Sequence, residues 1–286
     1  MSESPQRTFG ARGDVTVTIG DDHVAVVEMH RPPNNFFDIH LIRALASAYE
    51  ALDLDASCRA IVLAAEGRHF CAGADFNRPR PAEGQTPQTG QTGQTGQTTK
   101  TGPGEDSDET LYHEAIRLFE TRKPVVAAVQ GGAIGGGLGL ACSADFRVAS
   151  PESRFTANFA RLGFHHGFGL SVTLPGIVGQ QHALDLLYRG RRIDGTEAAR
   201  LGLVDLLAPT AAEIRGAARG LAADIAASAP LAVESVRQTM RGDLAGRVRK
   251  ALDRELSEQK RLLRTEDARE GIQATAERRE PRFRAR

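Results

Sequence analysis

Gly67-Arg68-His69-Phe70-Cys71-Ala72-Gly73-Ala74-Asp75-Phe76 and Gly131-Gly132-Ala133-Ile134-Gly135-Gly136-Gly137-Leu138-Gly139-Leu140 are the two stretches that decide the fold. Each follows a short apolar run, Ala60–Ala64 in the first case and Val125–Val129 in the second, with the character of a buried strand. Glycine lets a backbone turn sharply and approach another backbone or a ligand closely. The small residues that follow Gly137 predict a helix over 138–144, with Gly136 at its start. Unpaired N–H groups and the helix dipole favour negative charge at such a start, and an oxyanion hole needs that feature. A nucleotide-binding reading fails on spacing. No register of the second stretch satisfies G-x-G-x-x-G, because Leu140 and Cys142 fall where the last glycine belongs, and no Lys-Ser/Thr follows Gly137. Tight packing of a glycine-rich helix against a sheet is the alternative for that stretch taken alone.

The flanking sequence supplies an α/β frame. Val15–Ile19 and Val24–Met29 surround Gly20-Asp21-Asp22 and predict a β-hairpin. Two adjacent prolines make Arg31–Asn35 a turn. Leu41, Leu45, Ala48 and Leu52 recur at helical spacing within 39–52, and Asp38 stands where an N-cap belongs. Residues 78–107, built largely from a Gln-Thr-Gly repeat, cannot bury apolar surface and read as a flexible surface insertion. A helix over 109–120 stops at Lys123-Pro124, and Phe146–Ala149 and Arg154–Thr156 are short strands. From Gly179 onward the pattern is mostly helical. Thr210 with Glu213 suggests a capping box, Pro230 suits a first helical turn, and Leu244, Val248, Leu252 and Leu256 form one apolar stripe that needs a partner surface, as in an oligomer. The expected organisation is a core over 1–207, interrupted by 78–107, and a helical region over 208–286.

Composition excludes several classes of function. The 286 residues carry 36 basic and 36 acidic side chains, so a nucleic-acid footprint is not expected. Three cysteines without a CxxC pair argue against a disulfide framework or a metal site, and fit a reducing cytoplasm. No apolar run reaches the ~18 residues of a membrane span, and the polar N-terminus has no signal-peptide pattern.

Taken together, the two glycine-bearing segments resemble those of the crotonase superfamily, also called the enoyl-CoA hydratase/isomerase family. The likeness extends through Arg31-Pro32-Pro33-Asn34, Lys123-Pro124-Val125-Val126-Ala127-Ala128-Val129-Gln130-Gly131, Ala144-Asp145-Phe146 and Ala198-Ala199-Arg200-Leu201-Gly202-Leu203-Val204. It continues through Thr265–Gly271 and Pro281-Arg282-Phe283, and leaves out 78–107. The resemblance implies a crotonase-like spiral of ββα units with a C-terminal helical trimerisation region. It implies an acyl-CoA substrate in a homotrimer or hexamer, with no separate cofactor because coenzyme A arrives as part of the substrate. The N–H groups of Ala74 and Gly136 would hold the thioester carbonyl. Pro33, Asn34, Phe36, Ala72 and Asp75 would lie against the coenzyme A moiety.

The sequence departs from that family at its acid–base groups. Hydratases carry one glutamate where this chain has Gly139 and a second where it has Phe159. A positioned acid or base typically contributes ~10²–10⁴-fold, so ordinary hydration of an enoyl-CoA is not expected. His165 and His166, in a loop that lines the site in relatives, are candidates for proton transfer; the alternative is that one bonds loop backbone and the other is solvated. His113, on the helix after the insertion, is a further candidate and equally a surface residue. Phe159 and Phe164 suit an acyl pocket or core packing. Two functions stand at this stage: an enzyme that stabilises a thioester enolate, and a catalytically silent acyl-CoA-binding or scaffold protein of the same fold.

Overall fold

The computed structural model describes residues 6–10, 13–74 and 108–286. The 78–107 insertion therefore lies outside the described residues, as do Asp75 and Phe76. Ten strands and ten α-helices are described: β1 (Arg7–Phe9), β2 (Val15–Ile19), β3 (Val24–Met29), α1 (Ile39–Leu54), β4 (Ala60–Ala65), α2 (Asp108–Glu120), β5 (Val125–Ala128), β6 (Gly132–Ile134), α3 (Gly136–Ser143), β7 (Phe146–Ala149) and β8 (Arg154–Thr156). After a 3₁₀ turn at Asn158–Leu162 come α4 (Leu170–Val178), α5 (Gln180–Arg189), β9 (Ile193–Asp194), α6 (Gly195–Arg200) and β10 (Leu206–Leu207). Four helices complete the chain: α7 (Ile214–Ala226), α8 (Pro230–Arg241), α9 (Leu244–Leu262) and α10 (Glu266–Ala276).

Seven strands form one sheet in the order β1-β2-β3-β4-β5-β7-β10, and β6-β8-β9 form a second, smaller one. The β2–β3 hairpin is antiparallel, while β3, β4, β5, β7 and β10 run parallel. The parallel strands are sandwiched. Ile61, Leu63, Val125 and Ala127 belong to the core cluster that holds the buried residues of α1 and α2, whereas Val62, Ala64, Val126 and Val148 face α7. Burial on both faces explains why β4 and β5 read as continuous apolar runs, without alternation. Asp38 caps α1 as its position suggests, accepting from the Leu41 N–H at 3.0 Å.

Turns between these elements are fixed by buried polar groups. Asn35 is fully buried at φ 49°; its amide donates to the carbonyls of Glu66 and His69, both at 2.7 Å, and its Oδ1 accepts from the Arg31 N–H. The left-handed backbone of that turn is thus held by three bonds to one side chain, a common use of asparagine. Asp145 accepts from Arg237 at 2.9 Å and Arg241 at 2.7 Å, which pins α8 to the turn between α3 and β7.

Two sequence expectations change. The Thr210 hydroxyl donates to the Glu213 carboxylate and accepts from no backbone N–H, so no capping box forms; α7 begins at Ile214 after a 3₁₀ turn. The Leu244–Leu256 stripe does not face outward to wait for a partner. Val248 and Leu252 are buried where α9 packs on α2 and α4 of the same chain, and Leu244 and Leu256 are half-buried. The helix that buries nothing is α8, whose Leu231, Val236 and Met240 are 80%, 61% and 80% exposed. Among the described residues no helix is long and apolar enough to cross a membrane.

Candidate active site

The two glycine-bearing segments lie side by side. Cys71 and Ala133 form a β-bridge: the Cys71 N–H donates to the Gly132 carbonyl and the Ile134 N–H donates back to the Cys71 carbonyl, both at 3.0 Å. Next to it, a Cβ on Gly137 would lie 2.1 Å from the Cys71 carbonyl oxygen, so only glycine permits this approach. On the other side, the Phe37 N–H donates to the Gly73 carbonyl, and Phe37 pairs with Ala74. Gly73 sits at φ 89°, and a Cβ on it would come within 3.7 Å of the Gly136 nitrogen. Ala74 and Gly136 therefore border the same cavity, of about 350 Å³. Gly136 is the first residue of α3, where an N–H has no partner within the helix. Among the described residues no hydrogen bond engages the N–H of Ala74 or of Gly136.

The rest of the cavity is mainly apolar and aromatic. Phe37 and Phe168 stand 5.4 Å apart, and Phe159 and Phe164 meet edge to face at 5.9 Å. Phe164 and Phe159 thus belong to the cavity and to the core at once. Gly139 is closed off by one of these rings, since a Cβ there would lie 2.6 Å from the Cβ of Phe168. The helices that close the cavity are α9 and α10, through Gln259, Leu263, Ile272 and Thr275. A larger, more open space of about 770 Å³ lies between α10 and the returning tail, but it is lined by charged side chains and neither glycine-bearing segment reaches it.

Other singled-out residues fall in different places. Phe36 and Ala72 line the cavity. Pro33 and Asn34 stand behind, their carbonyls accepting from His69 at 3.1 Å and Ala72 at 2.9 Å. Asp75 lies outside the described residues. Burial pushes the Cys71 thiol up to about 12, as suits a packing residue. His113 is exposed on α2 and does not line the cavity.

His165 and His166 do not line it, although the His166 ring meets the lining ring of Phe159 edge to face at 6.4 Å. Their rings stack at 4.1 Å; His165 Nδ1 pairs with the His166 carbonyl at 2.7 Å, and His166 Nε2 with the Ser171 hydroxyl at 2.8 Å. The loop that carries them is anchored by Glu255 of α9, fully buried beneath it, whose carboxylate accepts the N–H groups of Gly169 and Ser171 at 2.9 Å each. Burial raises the Glu255 pKa, while those bonds oppose the shift. Burial, aided by the adjacent His165, lowers His166 to about 4. Gln259, one turn further along α9, donates to the His165 carbonyl at 2.9 Å and accepts from the Tyr112 hydroxyl at 2.5 Å.

Tyr112, Gln259, Asn158, Arg192 and Thr275 are polar side chains at this cavity that sequence reasoning did not single out as site residues. Tyr112 was visible beside His113 on an amphipathic helix. Asn158 directly precedes Phe159, the position already suspect. No local signal marks Gln259 or Arg192.

A family model described as enoyl-CoA hydratase/isomerase matches residues 20–286. A Bacillus subtilis (strain 168) protein named "Probable enoyl-CoA hydratase" is 33% identical over 267 residues, covering 92% of this chain and 96% of that protein. Human mitochondrial Delta(3,5)-Delta(2,4)-dienoyl-CoA isomerase is 28% identical over 292 residues, covering 98% and 83%. The crystal structure of an enoyl-CoA hydratase/isomerase from Pseudoalteromonas atlantica T6c superposes with a TM-score of 0.77 at 27% identity, covering 95% of this chain and all of that one.

Two outcomes follow from this geometry. Gly139→Ala gains up to about 1 kcal/mol of helix propensity but forces a methyl into Phe168, an overpacking that costs about 1–3 kcal/mol. The clash should win, and the urea midpoint should fall with an unchanged slope. Separately, between pH 6.5 and about 4 the unfolded chain binds a proton at His166 that the folded chain refuses. Stability should therefore fall as pH drops through this window, by up to about 3 kcal/mol, partly offset by Glu255, whose raised pKa acts in the opposite sense. His166→Gln, which keeps a partner for Ser171, should flatten the decline measured by urea titration at stepped pH.

Proposed function

We propose that this chain, which belongs to the enoyl-CoA hydratase/isomerase family, binds an acyl-coenzyme A thioester and stabilises its enolate between the N–H groups of Ala74 and Gly136. The observation that carries this reading is the joint approach of Gly73-Ala74 and Gly135-Gly136 to one apolar cavity. Negative charge moves onto the carbonyl oxygen when a carbon–hydrogen or carbon–carbon bond next to a thioester breaks. Two donors fixed by the backbone meet that charge without reorganising, in a space from which aromatic rings exclude water. The coenzyme A moiety runs past Phe36 and Ala72 toward the surface at Pro33 and Asn34.

The reaction itself is an enolate chemistry other than ordinary water addition. Among the described residues lining the cavity there is no carboxylate: Gly139 faces Phe168, and position 159 is a phenylalanine ring. His165, His166 and His113 are retained only as groups acting from outside that cavity. The protein assembles as a homotrimer or hexamer, with α8 at the contact. That helix buries no residue of its own, and a helix of 12 residues is marginal without a packed face.

Ala74→Pro is the sharpest test of the donor pair. A proline at Gly136 would also drive a Cβ to 2.4 Å from the Phe37 ring, so its effect would be mixed. Position 74 already carries a Cβ. A turnover screen across acyl-CoA classes identifies the substrate; Ala74→Pro should then lower kcat by roughly 10²–10³-fold, while Ala74→Ser, which keeps the N–H, stays near wild type. A folded proline variant with undiminished kcat would rule out this donor. Light scattering at micromolar concentration should give three or six protomers, and a monomer would remove α8 as a contact.

A further inference from the structure

One wall of the cavity is polar, and nothing in the mechanism above uses it. The wall is built by the small sheet. β8 pairs antiparallel with β9, Phe155 opposite Ile193, so Arg192 lies beside Thr156. The chain turns into the cavity two residues later, at Asn158. The two strands stay close there: a Cβ on Gly190 would lie 3.3 Å from the Asn158 Cα. Asn158 and Arg192 both line the cavity. The Asn158 Oδ1 lies 3.2 Å from the place of a Cβ on Gly135, one residue from the Gly136 donor. Among the described residues neither the Asn158 amide nor the Arg192 guanidinium has a hydrogen-bond or ion-pair partner.

This lack of partners contrasts with the surroundings. Neighbouring Arg191 is paired with Asp185 at 2.6 Å and Glu197 at 2.9 Å, and Arg161 with Glu280 at 2.9 Å. Arg192 is the one charged side chain among the described lining residues, which together carry a net positive charge. A planar fork of donors beside an amide suits a carboxylate, which takes paired bonds from both. Arg192 is exposed and Asn158 half-buried, so solvent reaches both from the cavity mouth; an unbranched, purely hydrocarbon acyl chain lying beside them displaces that solvent without supplying a partner, and a site built on polar groups penalises such a ligand.

We propose that Asn158 and Arg192 select acyl-coenzyme A thioesters whose acyl group carries a second carboxylate. This rests on the acyl-coenzyme A reading above. The same donors would also suit a phosphate of the coenzyme itself, and the experiment separates the two sources.

Calorimetric titration with glutaryl-CoA and pentanoyl-CoA compares equal chain lengths with and without the carboxylate. The wild-type protein should bind glutaryl-CoA at least tenfold more tightly. In Arg192→Ala and in Asn158→Leu the ratio of the two affinities should collapse toward one, while Arg192→Lys keeps part of it and Arg191→Ala keeps all of it. Equal wild-type affinities would overturn the proposal. So would variants that weaken both thioesters alike, since these groups would then read the coenzyme phosphates. Binding of neither thioester would instead overturn the acyl-coenzyme A reading, and this proposal with it.

Discussion

The structure depends on one close approach, that of the backbone at Cys71 to the backbone at Ala133–Gly137. No side chain could be inserted there: the Cys71 carbonyl already occupies the space that a Cβ on Gly137 would need. The contact joins the two sheets. β4 leads into one of the segments, while the other begins with β6 of the small sheet. It also brings the first turn of α3 beside the loop carrying Ala74, so the geometry of the proposed donor pair and the packing geometry are the same constraint. Mutations that loosen the packing here would act on that pair directly, because backbone N–H groups have no rotamers with which to adapt.

Backbone order was legible where local chemistry sets it. The Gly20-Asp21-Asp22 turn between alternating β-branched residues marks both edges of the β2–β3 hairpin, and Asp38 caps α1 from the position its type suggests. The glycine segments were legible because spacing and composition both restrict what can sit there. What stayed hidden depends on residues far along the chain. His165 and His166 look like free loop histidines until Glu255, some ninety positions later, takes the N–H groups of Gly169 and Ser171 and anchors the loop. The Leu244–Leu256 stripe showed that α9 has an apolar face, but periodicity alone cannot tell a surface of the same chain from that of another.

The same logic applies to polar residues. Asn35 reads as an ordinary turn residue, yet it is fully buried and every hydrogen-bonding group of its amide is used. Arg192 reads as a surface cation and is exposed, yet it also borders the cavity, unpaired among the described residues. Burial with complete satisfaction marks structure. A polar group at the mouth of an apolar cavity without a protein partner is open to one that a ligand would bring. Neither state is written in the identity of the residue.

The closure of the cavity by α9 and α10 has a consequence for how the protein is made. Gln259, Leu263 and Ile272 form a wall of the site although they come late in the chain. A nascent polypeptide grows from its N-terminus, and its early segments collapse before the late ones exist. The pocket framed by Phe37, Ala74 and Gly136 must therefore stay open, with its aromatic lining wet, until α9 has emerged and Glu255 has docked beneath the loop. The helix that completes the active site thus also sets the earliest moment at which the growing chain can hide its stickiest surface.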